Sequence, residues 1–213
     1  MCTETFLRLP EEKRKRFLDA AWEEFVSVPK ADASINQIVR RAGIPRGSFY
    51  QYFADKEELF DHLMEKVIGH FISEYRKVME QAGGDIFRTQ ELCFDRVARL
   101  GSGADVLFAR SLRIARLNPG LLPQAALARQ LMGRIFNAVR DTIDMTALRK
   151  AEEGFAANIF GLTLVSLAVA VMECVNAPER AEEIRAELLL QLDIIKHGSL
   201  AAEAVGIEKE DTI

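Results

Sequence analysis

The chain has 213 residues, 49% of them hydrophobic and 28% charged, with six prolines and a formal net charge of −4. That balance excludes a disordered or fibrous chain and fits a soluble globular protein with a sizeable buried core. Three scattered cysteines, Cys2, Cys93 and Cys174, exclude a disulfide framework, and the first 20 residues are too charged for a signal peptide, so a cytoplasmic location is expected. Nowhere do apolar and polar residues alternate persistently between tight-turn dipeptides, so the predicted fold class is all-α, with about nine helices.

Pro10, followed by Glu11 and Glu12, opens a first helix that runs to about Val28, its acids placed at the positive end of the helix dipole. Phe17, Ala21 and Phe25, flanked by Leu18, Trp22 and Val26, mark its buried side. Residues 29–33 form a loop. Ser34 caps a second helix, Gln37 completes a capping box, and Ile35, Ile38, Val39 and Ala42 face inward. Gly43 ends that helix by taking a left-handed conformation other residues resist. Pro45 leads into a two-turn helix from Arg46 to about Tyr52. Asp55 caps a fourth helix, with Glu58 as its box partner, and Ala82-Gly83-Gly84 ends it near Gln81. Longer apolar helices are predicted near 85–100, 102–117, 119–145, 147–175 and 178–197, broken most clearly at Asn118-Pro119-Gly120 and Asn176-Ala177-Pro178. Gly198 ends the last of these, and residues 199–213 form a polar, frayed tail.

Two short helices joined by a glycine turn and braced by a longer first helix satisfy the geometry of a helix-turn-helix over residues 34–52. Bulk charge lends no support, since residues 1–68 hold 11 Lys and Arg against 12 Asp and Glu. Within 34–56 the balance reverses, with Arg40, Arg41, Arg46 and Lys56 facing only Asp55. The second short helix is too small to exist for core volume. Phe49 and Phe53 point inward, while Arg46, Ser48, Tyr50, Gln51 and Tyr52 are expected outward, where a duplex groove would meet them. Lys56 opposes the dipole of its own helix, a defect that a bound phosphate would turn into a contact.

The run Ser34-Ile35-Asn36-Gln37-Ile38-Val39-Arg40-Arg41-Ala42-Gly43-Ile44-Pro45-Arg46-Gly47-Ser48-Phe49-Tyr50-Gln51-Tyr52-Phe53-Ala54-Asp55-Lys56-Glu57-Glu58-Leu59 closely resembles the DNA-binding signature of the TetR family of transcriptional regulators. Ala20-Ala21-Trp22-Glu23-Glu24-Phe25 upstream matches as well, so the resemblance covers roughly residues 10–65. It implies base contacts from Arg46 and Gln51, with Gly47 allowing close approach to the groove and Asn36 also touching bases. Ser34, Ser48, Tyr50, Tyr52 and Lys56 are implied as phosphate contacts. Arginine and glutamine suit guanine and adenine edges respectively. Pro45 departs from the family, which often places Ser, Thr or Ala there, and removes one possible phosphate contact.

The resemblance further implies a DNA-binding domain over 1–55 and a ligand-binding and dimerisation domain over 56–198. The partners would be a double-stranded, near-palindromic operator, a small-molecule inducer and a second copy of the chain, with no cofactor. Candidate pocket residues are Phe71, Phe94, Phe108, Arg113, Arg116 and Phe136. Ile184, Leu188, Leu192 and Ile195 form an apolar stripe that, with Leu162 and Val169, marks the expected dimer interface. Gly154–Met172 holds 19 consecutive uncharged residues, near the length of a membrane span, but charged helices on both sides favour a buried helix and no membrane. No nucleophile elbow, phosphate loop or metal-ligand pairing stands out, so no enzyme is expected. A regulator sensing oxidants through Cys93 is the alternative, and a helical enzyme a further one.

Overall fold

The computed structural model describes residues 2–99, 106–118 and 125–200. Ten α-helices run through them: α1 (Glu4–Leu7), α2 (Glu11–Phe25), α3 (Ile35–Ala42), α4 (Arg46–Tyr52), α5 (Lys56–Gln81), α6 (Ile86–Arg99), α7 (Val106–Leu117), α8 (Ala125–Val139), α9 (Glu153–Asn176) and α10 (Ala181–Ser199). No strand occurs among the described residues, only an isolated bridge between Leu148 and Leu200. The all-α reading holds, and the helix beyond the predicted nine is α1. Four residues are too few to show a helical period, so nothing in the pattern announces it.

The chain divides into two compact units, the first formed by Met1–Phe71 with Asp105–Pro123 and the second by Ile72–Ala104 with Gln124–Ile213. In the first, α2 packs on α3, α3 on α4, and α1 on α4. Phe17, Phe25, Ile38, Phe49, Phe53, Leu59 and Leu63 fill the core. Arg110 of α7 lies over the Trp22 ring at 5.3 Å and reaches Asp19 at 3.7 Å. Asn118 accepts the Lys30 backbone N–H at 2.7 Å, tying the end of α7 to the turn between α2 and α3.

In the second unit α9 packs against α6 and α10. Its buried side carries Ile159, Phe160, Thr163, Leu167, Ala170 and Cys174. The Gln90 amide N–H group donates to Tyr75 Oη and Thr163 Oγ1, both at 3.0 Å, inside an otherwise apolar core. Arg185 of α10 donates to Asp95 of α6 at 2.7 Å, which raises the guanidinium pKa further. By length and composition α9 would cross a membrane; here one side of it is spent on this core.

Several local expectations are corrected. Ser34 is the N-cap of α3 but its hydroxyl makes no cap hydrogen bond, and Gln37 instead accepts from Arg40 at 2.6 Å. The cap at Asp55 does form, Asp55 accepting the Glu58 N–H at 2.7 Å, while Glu58 reaches back one residue further than a capping box would and accepts the Ala54 N–H at 2.6 Å. Helices predicted at 119–145 and 147–175 are shorter, with α8 ending at Val139 and α9 beginning at Glu153. Between them the Thr142 hydroxyl donates to the Val139 carbonyl at 2.6 Å, and Asp144 accepts from both the N–H and the hydroxyl of Thr146. Such local bonds offer the backbone an alternative to the helix. Gly198 does not end α10. Ser199 is helical and buried and Leu200 pairs with Leu148, so neither belongs to a frayed tail; residues 201–213 lie outside the described residues.

Gly83 and Gly84 take φ of +65° and +84° and close α5. A Cβ on Gly84 would stand 2.4 Å from the Thr142 carbonyl oxygen and 2.7 Å from the Asp144 nitrogen, both backbone atoms. Gly84→Ala should therefore destabilise the chain by about 2–3 kcal/mol, from left-handed strain plus the clash. Chemical denaturation checks this; unchanged stability would contradict the packing.

Candidate nucleic-acid interface

The helix-turn-helix is built as its residues dictate. Gly43 adopts φ 65° and ψ 38° at the end of α3, and its N–H and that of Ile44 cap the Arg40 and Val39 carbonyls at 3.2 and 3.0 Å. Pro45 is extended and sets the start of α4. Phe49 and Phe53 are fully buried, the latter stacked on Phe17 at 5.9 Å with ring planes 8° apart. Arg46, Gly47, Tyr50 and Gln51 are exposed and Ser48 is half-buried. Open space surrounds the position a Cβ would occupy on Gly47.

Tyr52 is a correction. Only 9% of it is exposed, and its ring packs against Phe6 at 5.8 Å and Phe17 at 5.7 Å. Its place at the helix end turns it toward the core, so it belongs with Phe49 and Phe53 rather than with the outward groups.

Three polar ties hold the reading surface in place. Glu24, 5% exposed, accepts the Ser34 backbone N–H at 2.9 Å and binds the Arg41 guanidinium. One carboxylate thus grips both ends of α3 from α2. Glu24 lies seven residues after Phe17, where the helical period places an inward side chain. Lys56 donates its ammonium to the backbone carbonyls of Ala31 and Ala33, in the turn before α3. That contact removes the electrostatic oddity of a cation in a first turn without any phosphate. Arg46 donates to Asn36 Oδ1 at 2.8 Å, so two of the residues expected to touch bases are already joined.

Residues 17–63 match the profile of bacterial regulatory proteins of the tetR family. The chain is 31% identical over 164 residues to the transcriptional regulator BetI of Serratia proteamaculans, covering 72% of this chain and 80% of that one. It belongs to the TetR family. Over 54 residues, a quarter of each chain, it is 43% identical to the regulator SrpR of Pseudomonas putida. Across SrpR and two further curated relatives the match spans only 25–40% of their length. The fold extends further: SmeT, solved with triclosan, superposes with a TM-score of 0.60 at 18% identity, over 91% of this chain and 94% of that chain. SmeT is the repressor of a multidrug efflux pump in Stenotrophomonas maltophilia.

Outside this surface the TetR-family chain departs from several sequence expectations. Phe71 and Phe108 meet edge-to-face at 5.7 Å in the first unit, where Arg113 and Arg116 are exposed. Phe94 and Phe136 lie in the core of the second unit. Of the expected interface residues, Ile184, Leu188 and Leu192 are buried within the chain and Ile195 is half-buried, whereas Leu162 and Val169 are exposed. The outer apolar face consists of Leu162, Val165 and Val169 on α9, with Leu190 and Ile194, 62% and 65% exposed, on α10. Nothing in the site supports the thiol alternative. Burial pushes the Cys93 thiol up to about 12, so near neutral pH it lacks the thiolate that reacts with oxidants. Among the described residues no three His, Cys, Asp or Glu cluster as a metal site would need.

On α5 the His62 Nε2 is buried without a hydrogen-bond partner. Its ring stands edge-on to Phe6 at 5.6 Å and Phe53 at 5.5 Å. Burial holds its pKa below the ordinary 6.5, Lys66 lowers it further, and Glu58 partly offsets both. The unfolded chain therefore binds a proton more readily than the folded one, and stability present above pH 6.5 is lost as pH falls through the lower folded value. Denaturation midpoints should decline from pH 7 to pH 5, and His62→Phe should flatten that decline. An identical decline in the variant would exclude His62 as its source.

Proposed function

We propose that this chain is a ligand-responsive, homodimeric repressor that reads a near-palindromic DNA operator through α4. The observation that carries the reading is the outer face of α4. Arg46, Gly47, Tyr50 and Gln51 stand exposed on a helix whose inner side is fully occupied by aromatic packing. Arg46 and Gln51 read base edges, and Gly47 keeps the backbone close to the groove floor. Asn36 acts by holding Arg46. Ser34, Ser48 and Tyr50 bind phosphates, fixing register without reading sequence. Lys56 braces the turn before α3 and lends its charge to the same phosphates. The buried ring of Tyr52 serves packing. Functionally the chain divides into a DNA-binding part at 1–55 and a sensing and dimerising part at 56–198, working in the cytoplasm.

The dimer forms through the outer apolar face of α9 and α10, because five large exposed hydrophobic side chains on neighbouring helices favour burial against a second copy. A small apolar inducer is supported by the SmeT–triclosan complex and by the aromatic core around Phe94, Phe136 and Phe160. Within that core the Gln90 Oε1 atom has no hydrogen-bond partner, an acceptor that a ligand hydroxyl or N–H would satisfy.

Mobility-shift titrations at two salt concentrations test the interface. Arg46→Ala and Gln51→Ala should each relax operator discrimination by about 1–3 kcal/mol, whereas Lys56→Ala should weaken binding to all sequences alike. Full discrimination retained in both α4 variants would refute the assignment. For the dimer, a Leu190→Asp, Ile194→Asp double variant should run as a folded monomer in light scattering at micromolar concentration. A dimer in that variant would move the interface elsewhere.

A further inference from the structure

The seven residues of α4 leave its last carbonyls in need of partners, and the sequence supplies no glycine to close the helix. Phe53, which follows, is extended, and its N–H reaches back only to the Phe49 carbonyl at 2.9 Å. The carbonyls of Gln51 and Tyr52 are taken by a residue near the start of the chain. Thr3 donates its hydroxyl to the Gln51 carbonyl at 2.6 Å and its backbone N–H to the Tyr52 carbonyl at 3.1 Å. The same Thr3 oxygen accepts the Phe6 N–H at 3.3 Å, capping α1. A hydroxyl has one proton and two lone pairs, so one atom serves the start of α1 and the end of α4 together.

Phe6 completes the contact. It is 1% exposed and touches Phe17 of α2 at 5.8 Å, Tyr52 of α4 at 5.8 Å, Phe53 at 4.9 Å and His62 of α5 at 5.6 Å. Arg14 of α2 donates to the Leu7 carbonyl at 3.0 Å and holds the far end of α1. All of α1 lies outside residues 17–63, the stretch that matches the family profile.

We infer that α1 is a clamp on the recognition helix, with Thr3 and Phe6 as positioning residues that set affinity and the reading geometry of Gln51. This rests on the proposal that α4 reads DNA. Thr3 is the sharper of the two because its bond ends on the backbone of Gln51 itself. A small rotation of α4 moves that side chain across the groove, while Arg46 keeps its own tie to Asn36.

The test uses the full chain and the DNA that the unmodified protein selects from a random pool. Operator affinity, the preference at each base pair and thermal unfolding are measured for the unmodified chain, Thr3→Val, Thr3→Ser and Phe6→Ala. Thr3→Val should lower affinity about three- to tenfold, the range of one lost hydrogen bond. It should flatten preference most at the base pair that Gln51→Ala also flattens, and Thr3→Ser should restore both. Phe6→Ala should lower affinity further, but it also lowers stability, so Thr3→Val decides. Thr3→Val binding with unmodified affinity and an unmodified base profile would overturn the clamp. A lower affinity with an unaltered profile and a matching fall in melting temperature would overturn the positioning role. If the unmodified chain selects no sequence, the DNA-reading proposal fails first, and the clamp falls with it.

Discussion

A helix of seven residues makes too few internal hydrogen bonds to persist alone, so everything about this reading surface depends on what holds α4. The answer is an aromatic floor. Phe49 and Phe53 descend from α4 onto Phe17, and Tyr52 and Phe6 close the sides. Because these rings consume the whole inner face, the outer face is free to carry groups that add nothing to the core. Arg46, Tyr50 and Gln51 occupy it at small cost to folding, which is what permits a surface devoted to recognition.

Polar groups then fix what the rings leave adjustable. Glu24 grips the N–H of Ser34, the N-cap of α3, and Arg41 in its last turn, and Lys56 satisfies carbonyls in the preceding turn. A buried carboxylate of this kind is costly if either partner is removed, because its charge is then left uncompensated. Glu24 holds without standing on the outer face of α4, and Asn36 joins the holding groups to that face through Arg46. Backbone geometry at Gly43 and Pro45 sets the angle between the two short helices.

Much of this was legible in the chain. The bounds of α4 and α5, the end of α3 at a left-handed Gly43 and the Asp55 cap follow from capping and turn chemistry, which are local, whereas the start of α3 falls at Ser34 without the cap bond expected of it. The fold class followed from the same patterns. Tyr52 was misjudged because a two-turn helix has no sharp boundary between its faces, and its neighbour Phe6 comes from outside the motif. The roles of Thr3 and Phe6 were invisible because the α4 groups they hold lie more than 40 residues away. Glu24 carried a readable signal, since the period places it inward, but its charge argued the other way until Arg41 supplied a partner. In the second unit, the stripe of Ile184, Leu188 and Leu192 was read correctly as apolar and assigned to the wrong neighbour. Periodicity finds an apolar face; it does not say which surface covers it.

The central claim, that α4 presents a sequence-reading surface repeated by two-fold symmetry, is tested most directly by selecting bound DNA from a random pool with the full chain. The account predicts enrichment of a near-palindrome whose half-sites lie about one helical turn, roughly 34 Å, apart. Recovery of no preferred sequence, or of a single half-site without its symmetry mate, would contradict it.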